Sequence, residues 1–469
     1  MDMSIILSLI AIFLPAIYAI YLFIARLSLT PINKFILNNG CVLTSLIASL
    51  IFIFLAFNIQ DRNIVGTFFN IDFNNLDFNF EYNINKNNIY FLIYSCIAYG
   101  FVSLFSKKYF SIKKQFIFTK QRFFIFLSLL FLNTNLFLIS SNLIQCLFCW
   151  LIQGVLVHIF SYFDIFKHPT NHNMTRFNKI SLLGDFAFIL SCLILFKYAI
   201  LSNNYIEFKT LEFNELNELI SYMYGLSENY EFFLCLFGFL IATATKLAIF
   251  PMNSYYSFFA NSSNVFYLAC ANCSNLIFGS YIFIKLSIFY SLIENIEYPL
   301  KIYFATAASI ALFCILFEKN IKIIFGYYFS FINSIFVILF LNNKNINTLY
   351  IFLILNFILI IVLSALFIKD KTNLKKRIFN VKGFIIERMH IFISETLPEK
   401  LGVIFNFIDE KIIKKVIYIP SYTINLISCK FLSENSKTTI AKTLANTSTI
   451  YVIFTLFAIF IALFGRYKY

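Results

Sequence analysis

The sequence predicts an all-α polytopic membrane protein: about twelve transmembrane helices, some of them broken, followed by a lateral amphipathic helix and a final anchor helix. Three observations carry that prediction. Hydrophobic residues make up 60% of the 469 positions and the mean hydropathy is +0.79, where an ordinary soluble domain is roughly 45–50% apolar. Apolar runs of about 17–25 residues, long enough to cross a hydrocarbon core of about 30 Å, recur along the whole chain. In lipid such a run satisfies its own backbone hydrogen bonds only as a helix. The loops between the runs, finally, alternate in charge.

The runs read as spans at 4–24, 41–57, 89–105, 123–139, 143–163, 180–200, 232–250, 265–290, 302–317, 323–341, 349–368 and 449–463. The first begins at Ser4 with no basic segment before it and no small-residue cleavage site after it, so it reads as a retained helix rather than a signal peptide. Loops 25–40, 106–122, 164–179, 251–264 and 318–322 carry 13 Lys/Arg against two acids, Asp164 and Glu318. The opposite loops, 58–88, 140–142, 201–231, 291–301 and 342–348, carry 5 Lys/Arg. That asymmetry supports the span count and turns the basic side toward the cytoplasm or matrix, with the N-terminus on the other side.

Beyond Ile368 a basic stretch, Lys369 to Lys382, leads into 384–420, where Ile385, Met389, Phe392, Leu401, Phe405, Ile408, Ile412 and Val416 recur at helical spacing. Charged residues such as Glu387, Lys411 and Lys415 fill the intervening positions, and Pro398 breaks or kinks the segment. A helix of this kind lies along a membrane or a partner rather than through it.

Composition also excludes classes of function. The net charge of +14 is a matter of loop distribution in a membrane protein, and nothing resembles a nucleic-acid module. The ten cysteines are scattered and form no metal-like cluster; Cys146 and Cys149 lack a second pair, so they read as small buried hydrophobes and no metal is expected. There is no Walker loop, dinucleotide fingerprint, haem motif or iron–sulfur cysteine set. Redox chemistry is therefore expected on other chains.

The most informative stretch is Ile241-Ala-Thr-Ala-Thr-Lys-Leu-Ala-Ile-Phe-Pro251. A lysine in an apolar span is costly unless it faces a protein interior or a hydrated cavity, where burial lets it exchange protons. Pro251 lacks an N–H and crowds the carbonyl of Leu247, which predicts a helix break just beyond Lys246, a common way to build ion sites at membrane depth. The bland alternative is a lysine snorkelling from a helix end. Asp185 follows Gly184 near the start of the sixth span, either as an interface charge favoured by the helix dipole or as a carboxylate tuning the lysine. His158, near Trp150, Gln153 and Gly154, is either a proton relay or an ordinary packing partner. Lys197 and Lys285 sit toward the ends of their spans, where snorkelling accounts for them, and Asn356 reads as helix–helix glue.

Four stretches, in order, resemble the antiporter-like membrane subunits of NADH:ubiquinone oxidoreductase, respiratory complex I. Leu147-Phe-Cys-Trp-Leu-Ile-Gln-Gly154 loosely resembles that family's Gly-Trp-Glu-Gly-x-Gly helix, and Asn178-Lys-Ile-Ser-Leu-Leu-Gly-Asp-Phe186 its Asn-Arg-x-Gly-Asp-Phe. Lys246-Leu-Ala-Ile-Phe-Pro251 is similar to Lys-Ser-Ala-Gln-Phe-Pro, and Glu318-Lys-Asn-Ile-Lys-Ile-Ile-Phe-Gly-Tyr327, with Lys322, to Asn-Asp-Ile-Lys-Arg-x-x-Ala-Tyr. The tail resembles the ending of chain 5, not of chains 2 and 4. The family's glutamate after the tryptophan is Leu151 here, its eighth-helix histidine falls at Ala271, and its second broken helix and lysine are missing.

The resemblance implies N-terminal helices over 1–122, an antiporter-like core over 123–368 shortened in its second half, a lateral-helix region over 369–448 and an anchor over 449–469. It implies a core membrane-arm subunit of proton-translocating NADH:ubiquinone reductase, in the mitochondrial inner membrane or a bacterial plasma membrane. NADH, FMN, iron–sulfur clusters and ubiquinone would sit on partner subunits, and chains 2 and 4 and membrane lipids would be its neighbours. Proton-translocation candidates are Lys246, Asp185, His158 and Lys322, with Pro251 at the helix break. Leu151 cannot be protonated, so either another acid substitutes or the chain is a structural distal module that no longer pumps. A stand-alone cation/proton antiporter would need a fuller set of intramembrane acids, and a generic solute transporter leaves the Lys-to-Pro motif unexplained.

Overall fold

The computed structural model describes residues 3–28, 33–58, 63–73, 76–112, 117–161, 172–202, 212–226, 230–252, 263–291, 294–318, 321–343 and 346–368. These lie in the first of two compact units, Met1–Thr396; the second is Leu397–Tyr469. The predicted lateral helix over 384–420, the final span 449–463 and the boundaries beyond 369 lie outside the described residues.

Eleven helices among the described residues are long and apolar enough to cross a membrane, one for each of the first eleven predicted spans. Phe, Ile and Asn, abundant here, are mediocre helix formers in water. In hydrocarbon the backbone has no other partner, and helix follows regardless of propensity. In chain order the helices are α1 (Met3–Leu27), α2 (Lys34–Asn58), α3 (Lys86–Ile112), α4 (Ile117–Ile139), α5 (Leu143–Ser161), α6 (His172–Ser202), the short α7 (Phe213–Leu226) and α8 (Tyr230–Leu247). Then come α9 (Asn264–Lys285), the single-turn α10 (Ile288–Ser291), α11 (Glu294–Phe317), α12 (Ile321–Asn343) and α13 (Ile346–Ile368).

Two elements between the spans were not legible as structure. The 58–88 loop contains an antiparallel hairpin, β1 (Ile64–Phe73) and β2 (Leu76–Ile84), with a register slip between Thr67 and Phe69. Asn74-Asn75 between two strand-forming runs was the available turn signal. The hairpin is tied to the α4–α5 corner by a Tyr82–Ser140 bridge and a hydrogen bond from Ser141 Oγ to the Glu81 carbonyl at 3.2 Å. An Asn142–Glu212 bridge then joins the same corner to the start of α7, so hairpin and α7 lie against one end of the bundle.

Inside the bundle, α6 and α8 pack closely because small residues meet. Ser191 Oγ donates to the Cys235 carbonyl at 2.9 Å, and Gly184 and Gly238 lie where a Cβ would collide with the opposite helix. Small interfacial residues let helix backbones approach where lipid offers no hydrophobic drive for association. α9 is the central post, with nearly all its described side chains buried. Its middle, Ala269–Asn275, is π-helical, an extra residue in the turn that re-aims the side chains after it.

The predicted break after Lys246 is present. It falls just beyond Lys246, where the proline argument places it: α8 ends at Leu247 and Ala248 has φ 53°. A left-handed alanine costs roughly 1–2 kcal/mol, and the surroundings compensate. Ile249 N donates back to the Ala244 carbonyl at 3.0 Å, Met252 N to the Ile249 carbonyl at 2.7 Å, and Asn333 Nδ2 caps the Leu247 carbonyl at 2.6 Å.

Candidate functional site: a buried ion pair at the helix break

Lys246 occupies the last turn of α8 and is 0% exposed. A buried ammonium demands acceptors for its protons and a compensating charge. Both are in place. Its Nζ lies 3.2 Å from Asp185 Oδ1 and donates to Gln153 Oε1 at 2.6 Å. It also stands 4.9 Å from the centroid of the Trp150 ring, in cation–π range.

Each partner is held in turn. Trp150 Nε1 donates to Asp185 Oδ1 at 2.8 Å, so one carboxylate oxygen takes both the indole proton and the ion pair. The indole is stacked on Phe188 of α6, centroids 4.5 Å apart and planes 12° apart, which fixes its orientation. Gln153, one turn after Trp150 on α5, spends its amide protons on Ser274 Oγ (3.0 Å) and Asn275 Oδ1 of the π-helical segment. Three helices thus converge on α8: α5 through Trp150 and Gln153, α6 through Asp185, and α9 through Ser274 and Asn275.

Two glycines make the approach possible. A Cβ on Gly154 would stand 2.7 Å from Asp185 Oδ2, and one on Gly279 would stand 3.1 Å from Lys246 Cβ. Gly154→Ala is accordingly expected to push the Asp185 carboxylate away and lengthen its 3.2 Å approach to Lys246, and to lower the thermal midpoint by a few degrees. An unmoved carboxylate at an unchanged midpoint in the variant's structure would contradict this.

Chemically the site is a neutral ion pair with one polar and one aromatic flank. Phe278 stacks on Phe137 at 3.9 Å and lies 6.1 Å from Trp150, which keeps that side dry. On the polar flank, amides and a hydroxyl hydrogen-bond without titrating. They orient the lysine's protons but do not store one. The two charges hold each other in place, so any event that moves Asp185 raises the cost of keeping an ammonium at Lys246.

The other sequence candidates stand apart. His158 lies half-buried in the last turn of α5, and Lys322 lies buried in the first turn of α12, where its backbone carbonyl accepts from Tyr267 OH at 3.0 Å. Neither is among the hydrogen-bond or ion-pair partners of Lys246 and Asp185 within the described residues. Pro251 lies in the turn that follows the break. Lys197 is exposed and pairs with Glu231 at 2.7 Å, whereas Lys285 lies over the rings of Phe213 and Tyr281. Ser274 and Asn275 were not singled out from sequence; they sit in a run of small residues, Ala-Cys-Ala-Asn-Cys-Ser-Asn, whose facing depends on the π-turn.

No family model matches the sequence, and no curated protein matches it. Solved structures do. A chain of respiratory complex I from Thermus thermophilus, in a structure with bound NADH, superposes with a TM-score of 0.60 at 13% identity, over 79% of this chain and 73% of that one. A chain of the membrane-bound sulfane sulfur reductase, an archaeal respiratory membrane complex, superposes with a TM-score of 0.51 at 15% identity, over 70% of this chain and 50% of that one. At such identities the likeness shows a shared fold, a polytopic bundle of apolar helices.

Proposed function

We propose that this chain is a membrane-arm subunit of a respiratory complex, and that Lys246 is the group through which it exchanges protons. One observation carries the proposal: a lysine wholly buried at a helix break, paired with Asp185 and continued by Gln153 into Ser274 and Asn275. A purely structural subunit has no need of an ion pair in hydrocarbon, where each charge is expensive. The acid missing at Leu151 has a counterpart in Asp185, which reaches the lysine from α6. The shared fold with chains of two respiratory assemblies supports the wider assignment.

In its specific form, the proposal is an antiporter-like subunit of proton-translocating NADH:ubiquinone oxidoreductase, matching chain 5 in its tail. NADH, FMN, iron–sulfur clusters and ubiquinone then belong to partner chains, and the neighbours are chains 2 and 4 and lipid. The proposed home is the mitochondrial inner membrane, with a bacterial plasma membrane as the alternative. Here the ion pair is the switch. Loss of the Asp185 charge, by protonation or displacement, makes a charged Lys246 costly and favours release of its proton; return of the charge favours uptake.

One observation favours a second reading, a structural module without transport: α13 carries no acid, lysine, arginine or histidine. The test is to count protons moved per NADH oxidised by the assembled complex in sealed vesicles. Lys246→Met is expected to lower that ratio while electron transfer continues, and Lys246→Arg, which keeps a charge but scarcely releases it, to lower it equally. An unchanged ratio in both variants removes translocation through Lys246 and leaves the structural module.

A further inference from the structure

We propose that the protein holds ordered water in a second buried site, between the α8 break, α12 and α13. Ser330 and Asn333 on α12 and Asn356 on α13 are each 0% exposed. Asn333 donates through Nδ2 to the Leu247 carbonyl at 2.6 Å, and Asn356 through Nδ2 to the Phe352 carbonyl of its own helix at 2.9 Å. Those bonds leave three oxygens, Asn333 Oδ1, Asn356 Oδ1 and Ser330 Oγ, with no hydrogen-bond partner. Buried polar atoms are nearly always paired, by protein or by water.

The three oxygens are brought together by helix register. The rings of Phe336 and Phe352 stack at 3.9 Å, 21° apart, which fixes α12 against its antiparallel neighbour α13. Asn333 precedes Phe336 by three residues and Asn356 follows Phe352 by four. In an antiparallel pair both steps run the same way, about 5 Å along the interface, and both keep the facing side of the helix. Ser330 lies one further turn along α12.

The chemistry selects water. Two amide oxygens can only accept, and the hydroxyl can do either, so the occupant must donate; a water donates twice and accepts the Ser330 proton. Buried waters typically make about three such bonds. A bare cation would find no carboxylate among these three side chains. For its purpose, though not its existence, the inference rests on the translocation reading above: water here extends the polar region around Lys246 across the helix break toward α13 without any titratable side chain.

The site is tested on the intact assembly by brief X-ray radiolysis in ¹⁸O water, which oxidises side chains touching bound internal water. Phe336 and Phe352 are expected to take up label several-fold faster than Phe137, which is likewise buried and likewise stacked at 3.9 Å, on Phe278, but does not flank the three oxygens. Asn356→Leu, which fills the site with an apolar side chain, is expected to return both to the Phe137 rate, and Ser330→Ala to lower them partially. Label at Phe336 and Phe352 no higher than at Phe137, or label unaffected by Asn356→Leu, overturns the proposal. Because the readout is water and not transport, the site stands or falls separately from the role of Lys246.

Discussion

Asp185→Leu is expected to reduce the amount of this chain assembled in the membrane at least tenfold, and adding Lys246→Met to the same chain is expected to restore most of it, short of the cost of the orphaned Trp150 indole. The single change leaves an ammonium in the bundle with no counter-charge and removes the acceptor of the Trp150 indole, 2.8 Å away. Breaking a buried pair from one side costs about 3–5 kcal/mol, and an orphaned indole donor adds about 1–3 kcal/mol. Against a total stability of about 5–15 kcal/mol, that is enough to deplete the folded state. Removing both charges puts two apolar side chains of similar length in their place, which is close to neutral for a buried pair. Lys246→Met alone should be milder than Asp185→Leu, because a lone carboxylate can take up a proton and keep its bond to Trp150. The measurement is the chain's abundance in washed membranes, with the thermal midpoint in detergent beside it. Wild-type abundance of the Asp185→Leu chain, or a double variant no better than the single, would mean that the pair is not the buried element described here.

How much of this was readable beforehand differs from residue to residue. Span positions followed from hydropathy because lipid forces helix on any apolar run. The break beyond Lys246 was legible too, and it falls where the Lys-to-Pro spacing puts it, with Ala248 left-handed. The partnership of Lys246 with Gln153 was not, since the two lie 93 residues apart and periodicity is blind to which helices face each other. Sequence alone ranked His158 and Lys322 beside Asp185; packing of α5 and α6 against α8 is what separates them. Ser274 and Asn275 were hidden for a subtler reason. They point at Gln153 only because Ala269–Asn275 is π-helical, and ordinary 3.6-residue periodicity gives the wrong facing after an inserted residue. The hairpin's signal, the strict alternation of Leu76-Asp-Phe-Asn-Phe-Glu-Tyr-Asn-Ile84, is present in the sequence but overshadowed by the apolar spans on either side.

Gly184→Ala is expected to lower both stability and proton translocation, and Thr245→Gly in the same chain to recover translocation and part of the stability. A Cβ at Gly184 would lie 2.8 Å from Thr245 Cβ and 2.9 Å from its Cγ2, inside the distance two carbons tolerate. Thr245 is 0% exposed and its hydroxyl is bonded to the Ala242 carbonyl at 2.7 Å, so it has nowhere to swing. Forcing an extra methyl into such a contact costs about 1–3 kcal/mol, and much of that is relieved by parting α6 from α8. Parting them acts directly on the site, because Gly184 precedes Asp185 and Thr245 precedes Lys246: the glycine sets the 3.2 Å separation of the pair. Trimming Thr245 to glycine, which removes its Cβ as well, restores the room, at about 1 kcal/mol for a glycine inside a helix. Gly238 supplies the contrast, for a Cβ there would meet the Ser191 side chain and also the Ala187 backbone carbonyl, at 2.9 Å. Ser191→Ala can yield the first obstacle but not the second, so Gly238→Ala/Ser191→Ala should recover far less than Gly184→Ala/Thr245→Gly. Thermal midpoints and protons per electron for the four chains decide it; equal rescue at both glycines, or none at Gly184, would show that helix separation is set elsewhere.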